Sequence, residues 1–360
     1  MTKKTLTLGL LLTAFLGASA QKDTAAHAPA TPPPIAITGS IDGYYRYNFE
    51  GGLNNLTSFT NSTNSFELGM ASIRGDHSFG KGSVVVDLGF GRRAAEFSYN
   101  DVPATSLAVV KQMYATYQAS SKVKFTFGKW ATHVGYEVMD AYGNRNYSTS
   151  YMFTYGPFFH TGVKADFVTG KKSAFMIGIA NPTDFSTTTS SSKYLIAQYS
   201  TATSDDKWKV FVNYQGTYGG SAPKSLTQFD VVVNGTLNSQ WGIGYNGTYG
   251  GIAFTTLSGS QIVDKTLNWF GSALYLNYDP TPKVGYTFRG EYFSDKDGVK
   301  GLGADFMEYT LTAQWKIDNC LTIMPEIRLD NASIDGPFTK ADGSPVKSTL
   351  SALVAAVYKF

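Results

Sequence analysis

The groups in this 360-residue chain that could do chemistry are few. There are four histidines, His27, His77, His133 and His160, and one cysteine, Cys320. None of the histidines has the H-E-x-x-H spacing that sets two imidazoles and a base on one helix face. Cys320 has no second thiol for a disulfide or a thiolate metal site. Ser78 follows His77, and Thr161 follows His160. Neighbours in an extended chain point to opposite faces, so neither is a nucleophile–base couple. G-x-S-x-G and phosphate-loop patterns are absent, and no enzymatic reading or cofactor is supported. What remains is charge. Arg289 and Glu291 are two residues apart, as are Glu326 and Arg328. Such pairs share one face of a strand. Facing a water-filled lumen they could tune ion preference, or they could pair with each other and brace the wall. With Asp42, Arg46, Lys129 and Glu308 they form the candidate lining charges.

A second concentration of chemistry lies in the stretch 132–159. It holds His133, Glu137, Asp140 and Arg145, both signs of charge, and a run of aromatics that includes Tyr147. If it folds into a lumen it can narrow the opening and set up a transverse field. The alternative is an external lid packed by its own aromatics.

Such groups need a frame. Charged residues make up only 16% of the chain, below the roughly 25% usual for soluble domains. Aromatics reach 14% and 37 residues are Gly. Disorder is excluded by the aromatic and β-branched content. A helical membrane protein is excluded because no apolar run of about 18 residues occurs. At the N-terminus, Met1-Thr2-Lys3-Lys4, the apolar stretch Leu6 to Leu16 and Ala18-Ser19-Ala20 read as a signal peptide over 1–20. Residues 21–34 have the Pro/Ala-rich composition of a linker. The formal charge of +3 includes Lys3 and Lys4 of that signal and gives no reason to expect nucleic acid.

From Ile35 onward the apolar signal has period 2. Ile35, Ile37, Ile41, Tyr45, Tyr47 and Phe49 alternate with Thr38, Ser40, Asp42, Arg46 and Asn48. The pattern recurs in Val84–Phe90, Val123–Phe127, Trp208–Tyr214, Trp241–Tyr249, Val284–Tyr292, Tyr309–Trp315 and Leu321–Leu329. It predicts sixteen strands, near 35–49, 65–79, 82–92, 107–119, 122–131, 160–169, 172–181, 193–202, 206–217, 227–236, 239–250, 267–279, 282–294, 304–316, 319–330 and 348–360. Within 65–79 the apolar phase switches between Met70 and Ile73, which predicts a bulge. Short connections alternate with long ones, among them 50–64, 132–159 and 251–266.

One-sided strands can build a soluble sandwich or a membrane barrel. The barrel is favoured by ionic residues in mid-strand, by aromatics near strand ends and by alternating loop length. Closure also satisfies every backbone group without water. The expected fold is an all-β transmembrane antiparallel up-and-down barrel over 35–360, with short periplasmic turns and long extracellular loops. The last strand carries Tyr358 and ends in Phe360, a terminal aromatic that resembles the sorting signal of outer-membrane assembly.

The stretch FTFGKWATHVGYEVMDAYGNRNYSTSYMFTYGPFFHTGVKADF (125–167) resembles the hallmark block of the OmpL-like β-barrel porin family of Gram-negative outer membranes. The matching elements are Gly128-Lys129, Gly135-Tyr136-Glu137, Asn146-Tyr147-Ser148, Ser150-Tyr151 and His160-Thr161-Gly162-Val163. The stretches 268–298 and 309–333 are similar to later blocks of the family, including Glu326 and Arg328. Pro157-Phe158-Phe159 departs from the Pro-Phe-Thr-like step expected there. The resemblance implies an outer-membrane pore and no particular solute.

The expected function is passive diffusion of small hydrophilic solutes and ions through a water-filled channel. Alternatives are a solute-selective channel, or a barrel serving as a surface adhesin or structural anchor. Expected partners are outer-membrane lipid, a periplasmic chaperone and the barrel-assembly machinery. A homotrimer is an open alternative to the single barrel.

Overall fold

The computed structural model describes residues 33–360, apart from 55, 102–105, 219–223 and 259–260. The expected signal peptide and nearly all of the linker lie outside the described residues. The strands are β1 (Ala36–Asn48), β2 (Ser65–Phe79), β3 (Gly82–Phe90), β4 (Val110–Ser120), β5 (Val123–Ala131) and β6 (Phe159–Val168). They continue with β7 (Ser173–Ala180), β8 (Lys193–Ala202), β9 (Trp208–Tyr218), β10 (Lys224–Thr236), β11 (Trp241–Ser258) and β12 (Gln261–Thr281). The chain then forms β13 (Val284–Ser294), β14 (Asp305–Lys316), β15 (Leu321–Ala332), a small hairpin of β16 (Phe338–Thr339) and β17 (Pro345–Val346), and β18 (Ser348–Lys359).

Sixteen of these close a barrel in sequence order, with β16 and β17 standing apart as their own two-stranded sheet. All the pairings are antiparallel. Closure is between β1 and β18, where Ile41 faces Tyr358 and Asn48 faces Ser351. Gly39 and Phe360 exchange backbone hydrogen bonds in both directions, so the last residue helps to sew the seam.

The expected strands lie in place to within three residues at each end, except where β11 and β12 meet. There, 251–266 was expected to be a loop. Instead the ladder runs on until Ser258 pairs with Gln261. The segment is rich in Thr and Ile, which favour extended chain. It lacks a continuous greasy face because a hairpin rising above the bilayer has no lipid to meet. The phase switch in β2 is a bulge at Gly69. Asp42 faces Met70 while Gly43 faces Leu68, leaving Gly69 unpaired. A side chain at Gly69 would strike the Asp42 carboxylate, so the bulge and the glycine go together.

The faces are sorted as a membrane barrel requires. Outward-pointing Val84, Phe125 and Phe288 are 37%, 45% and 38% exposed, whereas inward-pointing Arg289 and Glu326 are 0% and 4%. At the turn end Phe79, Tyr117, Trp208, Trp241, Tyr286, Trp315, Tyr358 and Phe360 all stay exposed. They form the aromatic girdle expected at one interface. Trp241 stacks on Tyr278 across β11 and β12, with ring centroids 4.5 Å apart.

The buried core lies inside the barrel and is built by loops. One cluster joins Phe59, Phe97, Phe153, Phe158 and Phe159, drawing on the first three long loops. Another sets Tyr151 and Met152 against Trp269, Phe293, Phe306 and Phe338. A short helix, α1 (Arg92–Phe97), supplies Phe97. Arg93 is fully buried on this helix. Its guanidinium lies 3.6 Å from Asp42 and over the rings of Phe59 and Tyr147.

Candidate functional site: a septum across the lumen

The connection between β5 and β6 leaves the wall at Ala131, crosses the lumen and returns at Phe159. Local signals shape it. Gly135 adopts φ +93°, a left-handed conformation open to glycine. Asn144 closes a turn, accepting from the Val138 amide and donating to the Val138 carbonyl. A short helix, α2 (Tyr151–Tyr155), starts at Ser150, whose hydroxyl accepts from the Phe153 amide.

The wall then holds this segment from many sides. Arg289 is the hub. Its Nη1 donates to Glu137 at 2.6 Å and to the Ser148 carbonyl at 2.8 Å. Its Nε donates to Glu308 at 2.9 Å. Glu291 accepts from the Tyr151 and Met152 amides, both at 2.7 Å. These are amides of the first turn of α2, which has no partners of its own for them. Glu326 accepts from the Tyr147 and Ser148 amides at 2.8 and 3.1 Å. Arg328 donates to the Thr149 carbonyl at 2.7 Å and grips Asp330 with both nitrogens at 2.8 Å. The alternation that points these groups inward also lines them up, since Glu291 faces Glu308, and Thr310 faces both Arg289 and Arg328.

Further round the wall, Arg145 makes a two-pronged ion pair with Asp279 at 2.9 and 3.0 Å. Lys111 meets Asp140 at 2.6 Å. Tyr147 donates its hydroxyl to Asp42 at 3.0 Å. Asp230 accepts from the Gly135 amide, and Asn246 from the Tyr136 amide. Gln198 donates to the His133 carbonyl, and the His133 ring meets the Tyr214 carbonyl. Counted by strand, ten of the sixteen take part: β1, β4 and β8 through β15.

The lining and constriction residues singled out from sequence are therefore all inside the barrel, but apart from Arg145, which borders two of the inner cavities, they do not line open water. His133, Glu137, Asp140, Arg145 and Tyr147 are tied to the wall. Asp42, Arg46, Arg289, Glu291, Glu308, Glu326 and Arg328 are buried beneath loops. Arg46 donates to the Leu53 and Ser62 carbonyls and so anchors the first long loop. Lys129 pairs with Asp101 at 3.0 Å and sits 3.7 Å above the Phe159 ring. A charge buried in a loop-filled lumen is stable only when paired, which is why bracing absorbs both signs here. Among the described residues no group of three or more His, Cys, Asp or Glu is placed to hold a metal.

Cavities lie on both sides of the septum. The outer one, about 670 Å³, is lined by Asn61, Glu96, Tyr99, Tyr155, Phe158, Asp184 and Lys300. Burial pushes the Asp184 carboxyl up to about 6, opposed by its bonds from the Phe159 and Phe158 amides and Tyr99. Burial also lowers the Lys300 ammonium to about 8. Three cavities of about 500, 480 and 600 Å³ open at the turn end. None of these three shares a lining residue with the outer one. Sequence reasoning missed the lysines at these inner mouths. Their position in phase with the polar face was the available signal, as with Lys316 after Thr312 and Gln314.

Where the septum leaves and rejoins the wall, the His133 and His160 rings lie 5.0 Å apart. The Nδ1 atoms of both are buried without a partner. Burial holds the His133 imidazole low, at about 4, with the Lys164 ammonium acting in the same direction. The other charged group close by, Asp166, is bound to Lys164 at 3.6 Å. A docked pKa below the free value of about 6.5 means that docking is favoured above that value and loses support as pH falls towards 4. Single-channel traces are expected to stay quiet from pH 7 to 5 and to become noisy near pH 4. In His133→Gln the transition should be displaced or lost; an unchanged transition would assign it to another group.

A family model described as "Putative beta-barrel porin-2, OmpL-like" matches residues 34–360. No curated relative matches. Among solved structures, the outer-membrane channel DcaP of Acinetobacter baumannii is similar, with TM-score 0.64 at 12% identity, covering 91% of this chain and 97% of that one. OprB of Pseudomonas putida superposes with TM-score 0.60 at 10% identity, covering 91% and 94%. The trimer form of OmpT from Vibrio cholerae does so with TM-score 0.54 at 11% identity, covering 91% and 99%. These likenesses establish the shared fold, and the family match spans the whole barrel: the chain belongs to the OmpL-like β-barrel porin family and is an integral porin of the outer membrane.

Proposed function

We propose that this porin passes small hydrophilic solutes and ions by passive diffusion, and that the 132–159 septum is its constriction. The observation that carries this is the anchoring of one segment to ten wall strands between separate outer and inner cavities. A wall of sixteen strands alone is wide enough for an aqueous channel, so the septum decides what passes. The separation of the cavities favours a narrow, solute-selective channel over a wide general one.

The chain uses gradients and performs no covalent chemistry in this reading. Tyr358 and Phe360 act as the assembly signal, read by a periplasmic chaperone and the barrel-assembly machinery after the signal peptide over 1–20 is removed. The trimer form known for OmpT makes a trimer the oligomer to look for. Purified protein in planar bilayers is expected to give stepwise, ohmic conductance. A folded barrel that inserts without steps would point instead to a sealed structural or adhesive role.

A further inference from the structure

At the periplasmic end of the lumen, positive charge is left over. The cavity of about 500 Å³ is lined by Lys283, Lys316, Lys359 and Arg145, with Asp318 as its only carboxylate. Asp318 is already engaged, accepting from the Cys320 and Leu321 amides of its own turn at 2.7 Å each. Arg145 is engaged with Asp279. Among the described residues, Lys283, Lys316 and Lys359 have no carboxylate within ion-pair distance. Strand alternation aims Lys316 and Lys359 inward, and Lys283 lines the same cavity from the β12–β13 turn. Lys316 follows the buried Thr312 and Gln314, and Lys359 follows Leu353, Ala355 and Val357. Lys283 is bound to its neighbour through the backbone, the Lys316 amide donating to the Lys283 carbonyl at 2.9 Å.

The neighbouring inner cavities repeat the imbalance. The one of about 480 Å³ shows Lys207, Lys209 and Arg145 against Asp206 and Asp279; these two acids pair with Lys172 and Arg145, Lys207 pairs with Asp205 at 3.6 Å, and Lys209 is left over among the described residues. The one of about 600 Å³ shows Lys81, Lys124 and Lys164 against Asp76, which Arg74 holds at 2.7 Å; Lys124 and Lys164 share the single carboxylate of Asp166 at 3.8 and 3.6 Å, and Lys81 has none among the described residues. The carboxylates of the septum do not offset this field at the mouth, because Glu137 is turned onto Arg289 and the Ser150 amide and Asp140 onto Lys111. Like charges around a concave, low-dielectric mouth raise the local concentration of the opposite ion.

We propose that the periplasmic vestibule is an anion-collecting site. It makes the channel prefer small anions bearing carboxylate or phosphate groups, with Lys283, Lys316 and Lys359 as the specificity-determining residues. The inference rests on the porin reading above and goes beyond it by assigning the class of permeant. The three lysines are at the surface of the cavity and make no ion pair with the septum; the one contact, Lys359 over the Tyr142 ring at 5.8 Å, is small beside the septum's buried anchors, so their replacement leaves barrel and septum standing.

The test is a planar-bilayer recording of the mature protein under a KCl gradient. The reversal potential is expected to show a several-fold preference for chloride over potassium. The triple variant Lys283→Gln/Lys316→Gln/Lys359→Gln should bring that ratio towards unity while stepwise opening persists. As a second readout on the unaltered protein, inorganic phosphate added on the turn side should reduce chloride current more than the same addition on the loop side. Steps without anion preference, a preference untouched in the triple variant, or equal block from both sides would overturn the anion site and leave the porin reading intact. Absence of steps from the unaltered protein would overturn both.

Discussion

Arg289→Ala is expected to release the septum from the wall while the barrel stays closed. The guanidinium is fully buried and holds Glu137, Glu308 and the Ser148 carbonyl together. Its removal strands two carboxylates under a loop, a loss on the order of 3–5 kcal/mol for a buried pair broken on one side. Arg328 stands 3.8 Å from Glu308 and recovers part of that loss for Glu308, but Glu137 has no second arginine. The segment should then sample an undocked state. Protease added from outside is expected to cut within 132–159, and single-channel current should rise and become noisy. Heat-dependent gel mobility reports whether the barrel itself is folded. The matched control is Arg74→Ala, which breaks a pair whose side chains are 31% and 38% exposed. Such a pair is worth about 1 kcal/mol or less, so protection and current should hardly change. A septum that stays uncut in folded Arg289→Ala would show that the hub is not what holds it.

Deleting residues 138–150 should produce the largest functional change. It removes Asp140, Arg145, Tyr147, Ser148 and Thr149, and with them the contacts to Lys111, Asp279, Asp42, Arg289 and Arg328. The wall charges left behind meet water in the opened lumen, so their desolvation cost falls and the barrel survives. Conductance is expected to rise several-fold, towards that of an unobstructed sixteen-stranded wall. Vesicles bearing the variant should swell in larger sugars than those bearing the full chain. Unchanged conductance would mean that the segment does not limit flow, and the constriction reading would be abandoned.

The barrel was legible because its pattern is imposed locally and repeatedly. Each crossing must show apolar residues to lipid and polar ones to the lumen, so period-2 alternation survives in nearly every strand. Where the constraint lapses, the pattern lapses too. The extension of β11 and β12 above the bilayer needs only backbone pairing, and its sequence reads as a loop. The bulge at Gly69 was visible as a change of phase because the greasy face resumes on the same side after one extra residue.

The candidate site was legible only in part. The stretch 132–159 stands out by its length and by its mixture of charge and aromatics, and Arg289, Glu291, Glu326 and Arg328 by their spacing on the polar face. Their partners were not readable. Glu137 and Arg289 are 152 residues apart, and only closure of the barrel brings them to 2.6 Å.

Alternation is a property of neighbouring residues, and the sequence alone therefore determined the strand count and the sidedness of nearly every strand, while mid-strand charges, the terminal aromatic and the family resemblance pointed to the outer membrane. Which charges stay in water is decided by what covers them. Only the folded lumen shows that the mid-strand Arg and Glu are spent on holding loops, while Lys283, Lys316 and Lys359 face the open mouth. The physical reason is that burial and pairing depend on groups distant along the chain, and no local pattern records them.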